Sequence, residues 1–154
     1  MDWSEAPRHA ALVDLLQRAH LCQPDQLPAE INEAVARLGL ELTVYLVDYE
    51  QHRLWPLTQP GKPAGEPLSV DGTLAGRAFA SVRTMAGGDA HRPDRLWVPM
   101  IDGSERLGVV EVVLREVPPD LPDLREFCES IVGLVGHLIT VKLPYGDVFE
   151  QVRR

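Results

Sequence analysis

The 154-residue sequence is short of cysteine: it has only Cys22 and Cys128. Neither belongs to a CxxC pair or a Cys/His cluster, which disfavours a disulfide scaffold and a thiolate metal site. Two isolated thiols in helical patterns fit buried free cysteines in a reducing cytoplasm. No apolar run reaches the ~18 residues of a membrane span, and the opening MDWSEAPRHA lacks signal-peptide character. Basic residues number 15 against 23 acidic ones, a net charge of −8, and they never cluster. Nucleic-acid binding by phosphate neutralisation and a polybasic membrane hold both lack their footing.

Motifs of catalysis are missing too. There is no Walker sequence and no GxGxxG, and Ser69, Ser81, Ser104 and Ser130 have no GxSxG context. Cys128 and His137 stand nine positions apart in one predicted helix, over ~13 Å along its axis, too far to form a nucleophile–base pair. Asp89, His91 and Asp94 are the nearest approach to a ligand set, in a stretch that reads as a polar loop. The sequence therefore assigns no catalytic residue, no metal ligand and no cofactor.

What remains has the size and composition of one soluble domain with a full core, 45% hydrophobic and 25% charged. Apolar spacing predicts helices over 7–21 and about 28–38, with Gly39 as the stop. The period then shortens to two: 40–49 and 53–58 read as a hairpin, 59–67 as a Pro/Gly loop, and PLSV as a short strand. TLAGRAFASV (73–82) reads as a brief helix capped by Asp71 or Thr73, followed by a short strand at 83–88 and a loop at 89–94. LWVPMI and LGVVEVVL flank DGSER, the pattern of a hairpin with a four- or five-residue loop and a solvated Asp102 at its tip. A long helix follows, from Asp120 or Asp123 to about Leu143. Its apolar stripe includes Leu124, Ile131, Leu134, Val135 and Leu138, wider than one sheet contact needs; these residues are the candidates for a dimer interface.

The expected fold class is α+β: an antiparallel sheet with the terminal helices on one face and a middle helix plus loops on the other. Glu111 breaks its local rule, since it interrupts an apolar strand and shares a face with Val109 and Val113. A buried carboxylate needs a partner, either as a structural ion pair with Arg77, Arg83 or Arg95, or as a polar anchor in a ligand pocket. Aromatics make up only 6% of the chain, so Tyr45, Trp55, Phe79 and Trp97 stand out: they read as plain core, or as a cavity lining together with Arg77.

The runs YLVDYEQHRLWPL, PLSVDGTLAGRAF and RLWVPMIDGSERLGVVEVVL resemble the GAF sensory domain over roughly residues 8–150. DGTLAGRAF and KLPYGD are similar to the subgroup that precedes bacterial serine/threonine phosphatases of the sporulation/stress-response type. The resemblance implies about six antiparallel strands, commonly in order 2-1-5-4-3 with variations. It also implies a small-molecule pocket, a homodimer through the terminal helices, and a phosphatase-type output domain beyond this chain. Residues 1–143 would form the sensory domain and 144–154 the linker. No NKFDE-type set marks a cyclic-nucleotide member, and neither cysteine stands where a bilin attaches. The expected role is regulatory and non-catalytic, with Tyr45, Trp55, Arg77, Phe79, Trp97 and Glu111 as pocket candidates; the alternative is a ligand-free dimerisation or docking module.

Overall fold

The computed structural model describes residues 5–58, 61, 63, 65–89, 92–116 and 121–142. Helix α1 (Glu5–Leu21) and helix α2 (Leu27–Val35) come first, and a single 3-10 turn, Ala36–Leu38, closes the pair. Gly39 ends it in the left-handed region (φ 71°), a conformation that carries little strain without a Cβ. Strands β1 (Leu40–Val47), β2 (Arg53–Pro56) and β3 (Leu68–Ser69) precede helix α3 (Leu74–Ser81). Strands β4 (Met85–Asp89), β5 (Arg92–Asp102) and β6 (Glu105–Leu114) lead into helix α4 (Leu121–Lys142).

All six strands form one antiparallel sheet in the order β3-β2-β1-β6-β5-β4. The five longer strands reproduce the order 2-1-5-4-3, with the two-residue β3 added at one edge. Strand alternation then divides the side chains. Leu42, Val44, Leu96, Val98, Val110 and Val112 face the layer of α1, α2 and α4, where Leu15, Ile31, Ile131 and Val135 complete the main core. Val47, Leu54, Trp97 and Val109 face α3, where Ala75, Ala78 and Phe79 close a smaller core.

Polar groups fasten the helical layer to the sheet. Because β2 pairs only with residues 45–47 of β1, the earlier half of β1 lacks a strand partner on that side. Asn32 of α2 takes the open groups: its Nδ2 donates to the Leu42 carbonyl (2.9 Å), and its Oδ1 accepts from the Leu42 amide (2.8 Å). Lys142 Nζ, at the end of α4, donates to the carbonyls of His20 (3.2 Å) and Cys22 (3.0 Å), so one ammonium caps the C-terminal end of α1.

Two stretches differ from expectation. The expected loop 89–94 contains strand pairing: Asp89 pairs with Arg92 and Gly88 with Pro93, after a bulge at Gly87/Gly88, while residues 90 and 91 lie outside the described residues. Strand β5 has β6 beside it only from Arg95 onward, so this earlier part is an edge, where polar residues and proline are tolerated. The β5–β6 turn is tighter than expected, with two residues, Gly103 and Ser104, between the pair Asp102↔Glu105. Asp102 does not simply face water. Gly136 lets α4 approach Ile101 closely, and the neighbouring His137 Nδ1 lies 3.6 Å from Asp102 Oδ1.

The wide stripe on α4 is also accounted for within the chain. Leu124, Ile131 and Val135 are buried in the main core, and Leu134 and Leu138 pack half-buried against it. The extra width meets α1 as well as the sheet. The C-terminal segment from residue 143, including the expected linker 144–154, lies outside the described residues.

Candidate functional site

The sheet face toward α3 is only partly covered. Where α3 lies on it, Val47, Leu54, Trp97 and Val109 are buried. Beyond the helix the same face continues as a half-exposed shelf of Thr43, Tyr45, Arg95, Glu111 and Val113. Register assembles this shelf from three strands: Glu111 of β6 lies between Thr43 of β1 and Trp97 of β5. The next row is Glu41, Val113 and Arg95.

Glu111 finds its partner in the next row, on β5. Arg95 Nη1 donates to Glu111 Oε2 at 3.0 Å, and the Glu111 side chain is 15% exposed against 43% for the Arg95 side chain. Arg95 also lies 3.6 Å from Asp94. Gly87 of β4 makes room for this arrangement, since a Cβ there would stand 2.7 Å from Arg95 Cγ. The Tyr45 and Trp97 rings lie beside the pair at a centroid distance of 6.0 Å, tilted by 56°.

Burial raises the Glu111 carboxyl above the ordinary carboxylate range, and the Arg95 guanidinium counters only part of the rise. The Tyr45 hydroxyl is raised as well, chiefly by burial and then by the Glu111 charge. A carboxyl raised in the folded state contributes stability that is fully present below its unfolded pKa and is lost as pH rises through the folded value. Urea midpoints of wild type and Glu111→Gln, taken from the ordinary carboxylate range upward, are therefore expected to diverge. Wild type should lose stability relative to the variant as pH increases; a constant difference would contradict the assignment.

The sequence candidates divide accordingly. Tyr45, Phe79, Trp97 and Glu111 share the α3-side face, with Phe79 and Trp97 packed in its small core. Trp55 lies on the other face: it is opposite Leu46 in the β1–β2 ladder and packs against the main core. Arg77 is exposed on α3, and the ion-pair partner among the three arginines considered is Arg95. Thr43, Arg95 and Gly87 were absent from the pocket candidates; their places follow from register, which the sequence pattern does not fix.

The thiols stand apart from this shelf. Cys22 follows α1 and packs against the main core, and Cys128 of α4 is fully buried in that core. Burial pushes the Cys128 thiol up to about 12, so it is protonated at neutral pH and slow to react. A disulfide-exchange reagent is expected to titrate one thiol in the native chain and the second only on unfolding; two fast equivalents would contradict this burial. Among the described residues, no group of three His, Cys, Asp or Glu side chains could hold a metal ion. No described helix is long and apolar enough to cross a membrane.

No family model matches the sequence, and no curated protein matches it. Solved structures do match its architecture. The GAF domain of a phosphoenolpyruvate-protein phosphotransferase from Coxiella burnetii superposes with a TM-score of 0.73 at 13% identity, covering 93% of this chain and 99% of that one. The corresponding domain from Acinetobacter gives 0.71 at 16% identity, covering 90% and 96%. A free methionine-R-sulfoxide reductase from Neisseria meningitidis, solved in complex with its substrate, gives 0.62 at 14% identity, covering 92% and 95%. At these identities the likeness is one of architecture, and on it the chain has the GAF fold.

Proposed function

We propose that the chain is a non-catalytic regulatory domain that binds a small molecule on the shelf beside α3 and signals to an attached phosphatase-type output domain. One observation carries the reading: a mostly buried Glu111 carboxylate, paired with the half-exposed Arg95, is held beside Tyr45 and Trp97 on a sheet face that α3 leaves half open. Such a pair adds little net stability, so its cost makes most sense where it orients a ligand. Residues 1–143 would be the sensory unit, with 144–154 leading to the output domain. The route for the signal would be α4, which packs on β5 and is tied to α1 through Lys142. A ligand that favours one packing of these helices would shift the population of output states.

The methionine-R-sulfoxide reductase raises an enzymatic reading. Reduction of a sulfoxide needs an electron-pair donor, and both thiols of this chain belong to the helical layer, on the far side of the sheet from the shelf. That arrangement supports the non-catalytic reading.

The test is a thermal-shift series with nucleotides and metabolites on wild type and Glu111→Gln. A binder should raise the wild-type melting temperature, and the rise should shrink in the variant. A series without any stabilising compound would count against the proposal.

A ligand-free homodimer is the second reading, favoured by exposed apolar side chains on the helical layer: Val13 and Leu16 on α1, and Val141 on α4. Light scattering on wild type and Leu138→Glu tests it. A wild-type dimer that the variant converts to monomer supports it, and a monomer in both removes it.

A further inference from the structure

A second concavity lies away from the shelf, at the sheet edge where β5 runs on past the start of β4. It is a groove of about 490 Å³ between the segment Val82–Thr84 and the side of α4. Val98, Pro99 and Ile101 of β5 line it apolarly, and Arg83, Arg125 and Glu129 supply its charges. Gly133 leaves the α4 wall open, since a Cβ there would meet nothing within 4 Å. One turn of helix away the other α4 glycine behaves differently: a Cβ at Gly136 would lie 3.0 Å from Met100 Cγ.

Two features mark this groove as more than a gap in packing. Val82 ends α3 in the left-handed region (φ 56°), a rare and strained conformation for a β-branched residue. That turn sets the direction in which the chain leaves α3 and brings Arg83 to the groove. The second feature is the state of the two guanidiniums. Arg18 and Arg95 are spent on carboxylates, and Arg106 on the Ala80 carbonyl. Arg83 and Arg125 are exposed and have no ion-pair or side-chain hydrogen-bond partner among the described residues; Arg37, Arg53, Arg77 and Arg115 share that state, and what sets Arg83 and Arg125 apart is that both line one groove. In a chain of net charge −8, two uncommitted arginines in one groove are a local exception.

From this geometry we infer that the groove between Arg83 and Arg125 binds a small organic dianion, with two carboxylates or a phosphate on a short carbon frame. The guanidiniums meet the anionic oxygens in bidentate fashion, and the apolar floor of Val98, Pro99 and Ile101 accepts the carbon frame. Glu129 is the opposing group: its Oε1 accepts from Thr84 Oγ1 at 3.2 Å, joining the two walls of the groove, and its charge repels the ligand. A dianion held between Arg83 and Arg125 would tie α4 to the sheet edge. The site stands apart from the Glu111 shelf, so either can fail without the other.

Amide shift mapping at constant ionic strength tests it, with succinate and inorganic phosphate as probes and chloride as control. Saturable shifts are expected at Thr84 and Gly133 with at least one probe, and which probe binds distinguishes carboxylate from phosphate recognition. Arg83→Gln and Arg125→Gln should each weaken binding roughly tenfold without lowering the melting temperature. Glu129→Gln should strengthen it several-fold by removing the like charge. Shifts that never saturate, that chloride reproduces, or that survive both arginine variants would overturn the inference.

Discussion

Replacing Ile131 with glutamate is expected to destabilise the chain by at least about 4 kcal/mol, a large share of the ~5–15 kcal/mol that holds a domain of this size together. Ile131 is fully buried among α1, α2, α4 and the sheet, in a core cluster built of hydrophobic side chains. A carboxylate placed there would either remain charged without a partner or be forced to take up a proton, and each course is costly. Loss of the cooperative unfolding transition in far-UV circular dichroism would meet the expectation. Leu138→Glu is the comparison, because Leu138 is half-buried and its charge can reach water. That variant should keep its transition with a much smaller loss. If both variants unfold with equal ease, α4 does not sit on the sheet as described.

The second large effect is expected from Gly76→Ala. Gly76 lies in α3 at the point where the helix crosses the strand-to-helix connection, and an added Cβ would fall on the backbone carbonyl of Val70. Backbone cannot rotate aside as a side chain can, so α3 would have to lift from the sheet and loosen Ala75, Ala78 and Phe79. A loss of about 2–3 kcal/mol is expected in urea midpoints, at the upper end for overpacking. Gly133→Ala provides the opposite sign. It adds the same methyl to a helix interior with nothing nearby, and should stabilise by roughly 0.5–1 kcal/mol through the alanine helix preference. Equal gains in the two variants would show that the helical state alone, and not the contact with Val70, governs the result.

Much of this architecture was legible because it follows from local periodicity. The order of helices and strands, the Gly39 stop, the cap of α3 as Asp71 or Thr73, which the structure resolves to Thr73, and the position of Glu111 opposite the face of Val110 and Val112 are all set within single elements. What escaped depends on how elements meet. Trp55 was grouped with Tyr45 as a pocket residue, yet the β1–β2 register sets it opposite Leu46 and turns it to the other face. Nothing in RLWPL distinguishes the face of Leu54 from that of Trp55, because both residues suit a core. The α4 stripe was wide for the same kind of reason: it serves α1 and the sheet together, and helical periodicity counts apolar positions without naming their partners. Asn32, which fastens α2 to β1, gave no signal, since a lone polar residue in a helix reads as solvated.

The candidate site was visible through one anomaly, a carboxylate in an apolar strand, and the structure supplies the guanidinium and the two rings around it. Arg83 and Arg125 could not have been brought together from sequence, being forty-two positions apart on segments that the fold sets along one groove.

The measurement that reaches most directly into the account is amide shift mapping of the wild-type chain with the compound that most raises its melting temperature. The account predicts that the largest changes centre on Thr43, Tyr45, Trp97 and Glu111, with smaller ones propagating into α4. Changes confined to α1 and α2, or the failure of any compound to stabilise the chain, would contradict it.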